Sequence, residues 1–379
     1  MVRAALLLLA FATVVAARQD GDPEVDGKKA SEWFSTLRND ASPRKRAQAA
    51  AALGPLWLKH QHKDALPDLV RSMKVDTSAA VRAQCVRTFG TLPADTAAVL
   101  AKEVAAAFAE EKEAAVRKEL ALALGRFPEV AKKAVEPLSG VLKDADPVAK
   151  VAAAEALARA GKDAKESADD LLPLLDDKEK PVRQAAVFAL GRVGPDNPSF
   201  VAAALAGRFG REPDVDVRRE VVGSLKLLGD KSDVVVGMLA AATADADAET
   251  RTGAVRTLGF FGPSAKAAAD PLLKAATANP DKGLRLDAVR AFASVLGPDG
   301  VKGRAADFVK VMEADPEFEV RLAVVEELGA LGPLAKGDAA ILGALRQRQS
   351  DPQVKVRQAA AAAVRRIEKK VDPKDADKK

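Results

Sequence analysis

An all-α fold, built as an α-solenoid of about ten stacked helical hairpins, follows from three features of the sequence. A unit of 33–36 residues recurs, apolar residues within it fall at helical spacing, and aromatics make up only 4% of the chain, with no Tyr. The unit is clearest over residues 177–194, where Asp177 opens a turn and Pro181-Val182-Arg183-Gln184-Ala185-Ala186-Val187-Phe188-Ala189-Leu190 follows. Weaker copies, anchored on the basic residue equivalent to Arg183, place Arg46, Arg82, Arg117, Lys150, Arg183, Arg218, Arg251, Arg285, Arg321 and Arg357 in register. Successive spacings are 36, 35, 33, 33, 35, 33, 34, 36 and 36, a period that marks supersecondary units stacked on one another.

Six residues before each anchor stands an acid or its amide: Asp40, Asp76, Glu111, Asp144, Asp177, Glu212, Asp245, Asn279, Asp315 and Asp351. Seven residues after it stands a large apolar side chain: Leu53, Phe89, Leu124, Leu157, Leu190, Leu225, Leu258, Phe292, Leu328 and Val364. With the residue before the anchor, the small or branched residues three and four beyond it and an apolar residue at ten, this spacing predicts an amphipathic helix of about three turns. Gly161, Gly194, Gly229, Gly262 and Gly332 fall just past the run, where a left-handed residue ends a helix. A second apolar run precedes each anchor, as in Leu171-Leu172-Pro173-Leu174-Leu175. A Pro there either starts the helix in its first turn or bends it. The predicted unit is helix, Asp-containing turn, helix.

Asp315-Pro316-Glu317-Phe318-Glu319-Val320-Arg321 and Asp351-Pro352-Gln353-Val354-Lys355-Val356-Arg357 closely resemble the HEAT repeat, including its short bacterial, PBS-lyase-type variant. The resemblance covers roughly residues 28–368. It implies that the turn acid and the helix Arg bond along the array, a ladder role for Asp177, Arg183, Asp245, Arg251, Asp315, Arg321, Asp351 and Arg357. Lys150 and Asn279 depart from the pattern and leave those two rungs outside the expectation.

Four segments are expected. Residues 1–17 have one positive charge, an apolar core and Val15-Ala16-Ala17 before a polar shift, which reads as a secretory signal peptide. Export to the periplasm or cell envelope, possibly outside the cell, follows, with no transmembrane span in the mature chain. Residues 18–27 read as a disordered spacer. Asp22, Glu24, Asp26 and Gly27 resemble in part the start of a calcium loop, but its twelfth position is Trp33 and no calcium is expected. Residues 28–368 carry the array as one elongated domain, with Trp33 and Phe34 closing its first end and Arg365 and Arg366 giving the last unit a polar face. Residues 369–379 form a charged, disordered tail.

Composition narrows the chemistry. A hydrophobic share of 48% with few aromatics suits packing of Ala, Leu and Val helices, not a β-sandwich or an aromatic-lined cofactor pocket. Cys85 falls on the buried face, so a core role is expected. His60 and His62 sit in a connection with no carboxylate spaced for a metal. No His-Glu-x-x-His, Gly-x-Ser-x-Gly or Walker loop occurs, and the turn carboxylates have a capping role available. Relatives of the HEAT family include deoxyhypusine hydroxylase, which holds iron through His-Glu pairs, and bilin lyases. No His-Glu dipeptide occurs in this chain, and the lyase reading rests on analogy of fold alone. A non-enzyme with no cofactor and no metal is expected.

Variation among copies marks the face not used for stacking, at one, five and nine residues after each anchor. In the HEAT family that helix lines the concave side. Arg87, Arg126, Arg159, Phe188, Arg192, Arg256, Phe260 and Arg290 occupy this face, mixing the forked hydrogen bonds of Arg with aromatic area, as protein-binding hot spots do. Glu119, Glu155, Glu220 and Asp287 lie nearby, and an ordinary solvated face is the bland alternative. The expected activity is a monomeric scaffold or adaptor for other proteins. The alternative is a polyanion binder, but 59 basic against 54 acidic residues is a weak excess, and export takes the chain away from nucleic acid.

Overall fold

The computed structural model describes residues 21–127, 131, 132 and 134–369. The signal peptide expected over 1–17, the start of the spacer and the tail from 370 lie outside the described residues. The described chain is all-α apart from one two-stranded hairpin. It divides into two compact units, one ending at Asp196 and the other beginning at Asn197. The repeat period carries no mark of that boundary, which falls in the run Gly194-Pro195-Asp196-Asn197-Pro198.

The first compact unit holds five helical pairs: α1 (Ala30–Asn39) with α2 (Pro43–His60), α3 (Ala65–Val75) with α4 (Ala79–Phe89), α5 (Ala94–Glu110) with α6 (Ala114–Gly125), α7 (Val135–Val141) with α8 (Pro147–Ala160), and α9 (Ala168–Leu171) with α10 (Lys180–Leu190). The first helix of the fifth pair is broken. Its α-helical turn is flanked by 3-10 segments at Gly161–Ser167 and Leu172–Asp176, and Pro173 removes a backbone donor where the α-ladder gives way.

The second compact unit pairs α11 (Pro198–Phe209) with α12 (Val215–Leu228), α13 (Asp233–Ala242) with α14 (Ala248–Phe261), α15 (Ala269–Ala278) with α16 (Lys282–Gly303), α17 (Ala305–Ala314) with α18 (Phe318–Ala330), and α19 (Ala339–Arg348) with α20 (Val354–Glu368). α16 is kinked at Gly297, whose φ of +65° no β-carbon residue adopts easily, just before Pro298.

The apolar spacing lands where the periodicity puts it. Leu53, Leu124, Leu157, Leu190, Leu225, Leu258 and Leu328 are each at most 1% exposed. Small residues fill the rest of the seam. In α8, Ala149, Ala152, Ala153 and Ala156 are buried beside Leu157, so neighbouring helices approach closely through side chains that lose little rotamer freedom on packing.

One expectation is corrected at the N-terminal end. Residues 21–27, expected as disordered spacer, belong to an ordered hairpin in which Glu24–Val25 pairs antiparallel with Lys28–Lys29. Asp26 and Gly27 turn it with φ of +51° and +75°, the two left-handed positions that an Asp-Gly hairpin turn requires. Trp33 Nε1 donates to the Val25 carbonyl at 2.8 Å, and Lys28 Nζ lies 4.7 Å from the Trp33 ring centroid. The Asp22 carboxylate accepts from the Ser31 amide and hydroxyl, which occupies it in holding the hairpin to α1.

Candidate binding surfaces

The turn acids and anchor bases build a regular hydrogen-bonded seam. Each turn acid accepts from the backbone N–H two residues on, as Asp76 does from Ser78 and Asp351 from Gln353. The anchor guanidinium donates through one terminal nitrogen to the carbonyl of its own turn acid: Arg183 to Asp177 at 2.9 Å, Arg321 to Asp315 at 3.0 Å, Arg357 to Asp351 at 2.7 Å, Arg251 to Asp245 at 2.7 Å. Its remaining edge forks onto the carboxylate of the following repeat. Arg285 holds Asp315 at 2.6 and 3.0 Å, Arg321 holds Asp351 at 2.9 and 3.0 Å, and Arg46 holds Asp76 at 2.8 and 2.8 Å. Arg218 closes the same rung on Asp245.

These are largely buried pairs: the Arg285 and Asp315 side chains are 10% and 5% exposed. Burial pushes the Asp351 carboxyl up, but the Arg321 fork and the Gln353 amide together reverse this and hold it below the usual carboxylate range. Asp76, Glu111, Asp144 and Asp177 show the same balance.

The two departures from the sequence pattern behave differently. Lys150 does make a rung, its Nζ 2.8 Å from Asp177, with a single contact in place of the fork. Asn279 does not. Its side-chain oxygen caps the Asp281 amide as the acids do, but no carboxylate among the described residues pairs with Arg251, whose Nε is buried with no hydrogen-bond acceptor.

A second seam, not anticipated from the sequence, runs along the second helices. Eight residues after several anchors stands Gly, and the next second helix closes on it. A β-carbon on Gly329 would lie 2.6 Å from Ala363 Cβ, and one on Gly259 would lie 3.1 Å from Ala291 Cβ. The exposed carbonyl at that position then accepts from the ninth residue of the next repeat. Arg126 donates to Gly90, Ser294 Oγ to Gly259 at 2.8 Å, and Arg366 to Gly329 at 3.4 Å. The signal was the recurrence of Gly54, Gly90, Gly125, Gly191, Gly259 and Gly329 at one register.

The residues singled out for binding on the second helices are therefore partly engaged. In the first compact unit, Arg87 and Arg126 line one shallow groove of about 290 Å³ with Glu119 and Leu122. Arg87 is held by Glu119 at 3.0 Å, and Leu122 stays 44% exposed between the charges. Arg159 lies beside Glu155. Arg192 stacks 3.5 Å over the Phe188 ring and donates to its carbonyl, leaving the ring half-buried.

In the second compact unit, Arg256 pairs with Asp287 at 2.8 Å and lines a groove of about 260 Å³ with Arg219, Lys226 and Glu249. Phe260 is 65% exposed, with Lys226 Nζ 5.5 Å from its ring centroid. Arg290 is exposed near Glu327, whose carboxyl burial pushes up while the Arg290 charge pulls it down. Leu122, Arg219 and Lys226 were missed. Leu122 sits at the fifth position already marked as variable, and its aliphatic character was the available cue.

A family model for HEAT repeats matches residues 30–107, 101–191, 135–226 and 201–293. The chain belongs to the HEAT-repeat family. Solved structures with the same HEAT-type architecture include an engineered protein, 18% identical, aligned over 90% of this chain and 99% of its own, with a TM-score of 0.62. Kap121p is 15% identical over 89% of this chain, with a TM-score of 0.53, and the karyopherin Kap121p bound to the SUMO protease Ulp1p is 16% identical over 89%, with a TM-score of 0.52. The HEAT-repeat chain spans 40% of the length of Kap121p. None of the curated proteins matches it.

The family match names no catalytic family. Among the described residues of this HEAT array, no three His, Cys, Asp or Glu side chains are grouped to hold a metal ion. His62 accepts at Nδ1 from the Asp64 amide and packs 4.8 Å from the Phe34 ring. Cys85 is fully buried, and burial pushes its thiol far above the ordinary range, so it is inert as a nucleophile at neutral pH. No helix among the described residues is long and apolar enough to cross a membrane.

Proposed function

We propose that this HEAT-repeat protein is a non-catalytic scaffold that holds other proteins on the exposed face of its second helices. The observation that carries the reading is the groove of Arg87, Glu119, Leu122 and Arg126. There an exposed aliphatic side chain lies between guanidinium groups already held in place by Glu119 and the Gly90 carbonyl. Groups ordered before binding lose little entropy on contact, and Arg beside apolar area is what interface hot spots use. Kap121p, which shares the fold, has been crystallised bound to Ste12p, Nup53p, Pho4p and Ulp1p, which supports protein partners for such an array. Residues 1–17 support export, so the working compartment is the periplasm or cell envelope and the chain acts there as a monomer. N-terminal sequencing of the exported protein should begin at Arg18; retention of Met1 would overturn cleavage.

A polyanion ligand is the second reading. Arg87, Arg159 and Arg256 each have a carboxylate beside them, which interrupts the cationic track that such a ligand needs. In capture from a periplasmic extract, the double variant Leu122→Asp with Arg126→Glu should lose the partners held by the wild type, with helical content and melting unchanged. Unaltered capture would move the site off this face. Affinity falling by orders of magnitude between about 50 and 200 mM salt would favour the polyanion instead.

A further inference from the structure

Asn279 breaks the ladder at a place where the molecule leaves room. Beside Arg251 lies a cavity of about 640 Å³, formed within the second compact unit by the ends of α13 and α15 and the turns that follow them. Its walls are mostly small and apolar, Ala240, Ala244, Pro271 and Ala278 among them, and two cations line it, Arg251 and Lys274. Two acids also line it: Asp245, which Arg218 forks at 2.9 Å, and the largely exposed Asp270, which Arg304 meets through one oxygen at 2.9 Å. Arg251 and Lys274 have no acidic partner among the described residues. A buried guanidinium nitrogen without an acceptor is costly and calls for an explanation.

The equivalent place in the first compact unit sharpens the contrast. There a cavity of about 340 Å³ is lined by Lys74, Arg82 and Glu111, but Arg82 is forked onto Glu111 at 2.7 and 2.9 Å and Lys74 is paired with Glu103. Of the three cations lining that cavity, Lys74 and Arg82 are neutralised internally, and Lys112 shares the lining with Glu110, Glu111 and Glu113. In the cavity at Arg251 neither Arg251 nor Lys274 has an acidic partner among the described residues, and the cavity is larger.

We propose that this cavity is a carboxylate-binding site, and that its occupant is an Asp or Glu side chain, flanked by small apolar residues, in an extended segment of a partner protein. The chemistry follows from the ladder itself. At the neighbouring rungs the same guanidinium edge takes a carboxylate, so a ligand carboxylate completes at Arg251 the rung that Asn279 leaves open. Lys274 adds a second positive charge at the rim, and the Ala and Pro walls accept the residues on either side. The inference rests on the reading of the chain as a protein-binding array, and adds a site separate from the groove at Leu122.

The test uses the full chain and the capped peptide Ac-Ala-Ala-Glu-Ala-Ala-NH2, with the Arg251 Nε–H resonance as the readout at the orphaned atom. A saturable shift of that resonance is expected, with affinity at least tenfold weaker for the Gln peptide. Asn279→Asp places a carboxylate on Arg251 from within and should lose the peptide at least tenfold while remaining folded. Lys274→Ala, at an exposed position, should weaken binding several-fold. Absence of a saturable shift, equal binding of the Glu and Gln peptides, or unchanged binding by Asn279→Asp would each overturn the site. Butyrate binding as tightly as the peptide would assign the site to a free small carboxylate and overturn the peptide partner. None of these outcomes bears on capture at Leu122 and Arg126, so the two readings fail separately.

Discussion

At the scale of single residues, one oxygen decides whether a rung closes. Asp315 and Asn279 occupy the same register and both cap a backbone amide two residues on, but only Asp315 offers its second oxygen to the preceding guanidinium. Asn279 uses its side-chain oxygen on the Asp281 amide, and the Arg251 Nε is left without an acceptor. Asp315→Asn should therefore lower the unfolding free energy by about 1.5–3 kcal/mol, the range for a hydrogen bond to a charged group, and Asn279→Asp should raise it by a similar amount. Urea titration checks both; equal and negligible shifts would mean that the rungs contribute no stability. The acid-amide difference at Asn279 was visible in the chain's spelling. Its consequence was not, because the unmet Nε of Arg251 appears only when the neighbouring turn is placed against it.

At the scale of helices, the second members of the pairs are shaped for contact on two edges. The large residue seven beyond the anchor fills the core, and the Gly one position later lets the next second helix close in. Gly329→Ala puts a β-carbon where Ala363 already stands, 2.6 Å away, with no flexible side chain to give way. A loss of about 1–3 kcal/mol is expected from such overpacking, although Ala is the better helix former. Thermal melting of the variant tests this, and a gain in stability would show that the seam is not tight. The hairpin before α1 teaches the complementary lesson. Asp26-Gly27 is a strong turn signal, but its two strands are only two residues long and Val25 is their one apolar side chain. What orders them is Trp33, which needs an acceptor for its indole N–H and finds the Val25 carbonyl.

At the scale of the molecule, repetition turns a local charge balance into a global property. Asp76, Glu111, Asp144, Asp177 and Asp351 all titrate below their ordinary range in the folded chain. The unfolded chain therefore takes up more protons as the pH drops past about 4. The stabilisation is complete above that value and is lost as the pH falls through the folded values. Unfolding free energy measured from pH 6 down to pH 2 should decline together with proton uptake on unfolding. A flat profile would mean that the rungs titrate alike in both states.

The order of residues alone determined the helical pairs, their register and the core. A period of 33–36 with apolar residues at helical spacing admits only units that bury their faces on one another, and each helix needs information from about a dozen consecutive positions. Tertiary structure decided everything that depends on two repeats meeting. It placed Arg126 on the Gly90 carbonyl, left Leu122 standing in a groove, and exposed the gap at Asn279 beside the unmet Nε of Arg251. Those residues lie about one repeat apart in the chain, and whether a charge is met or a β-carbon fits is a matter of ångströms across the gap between them.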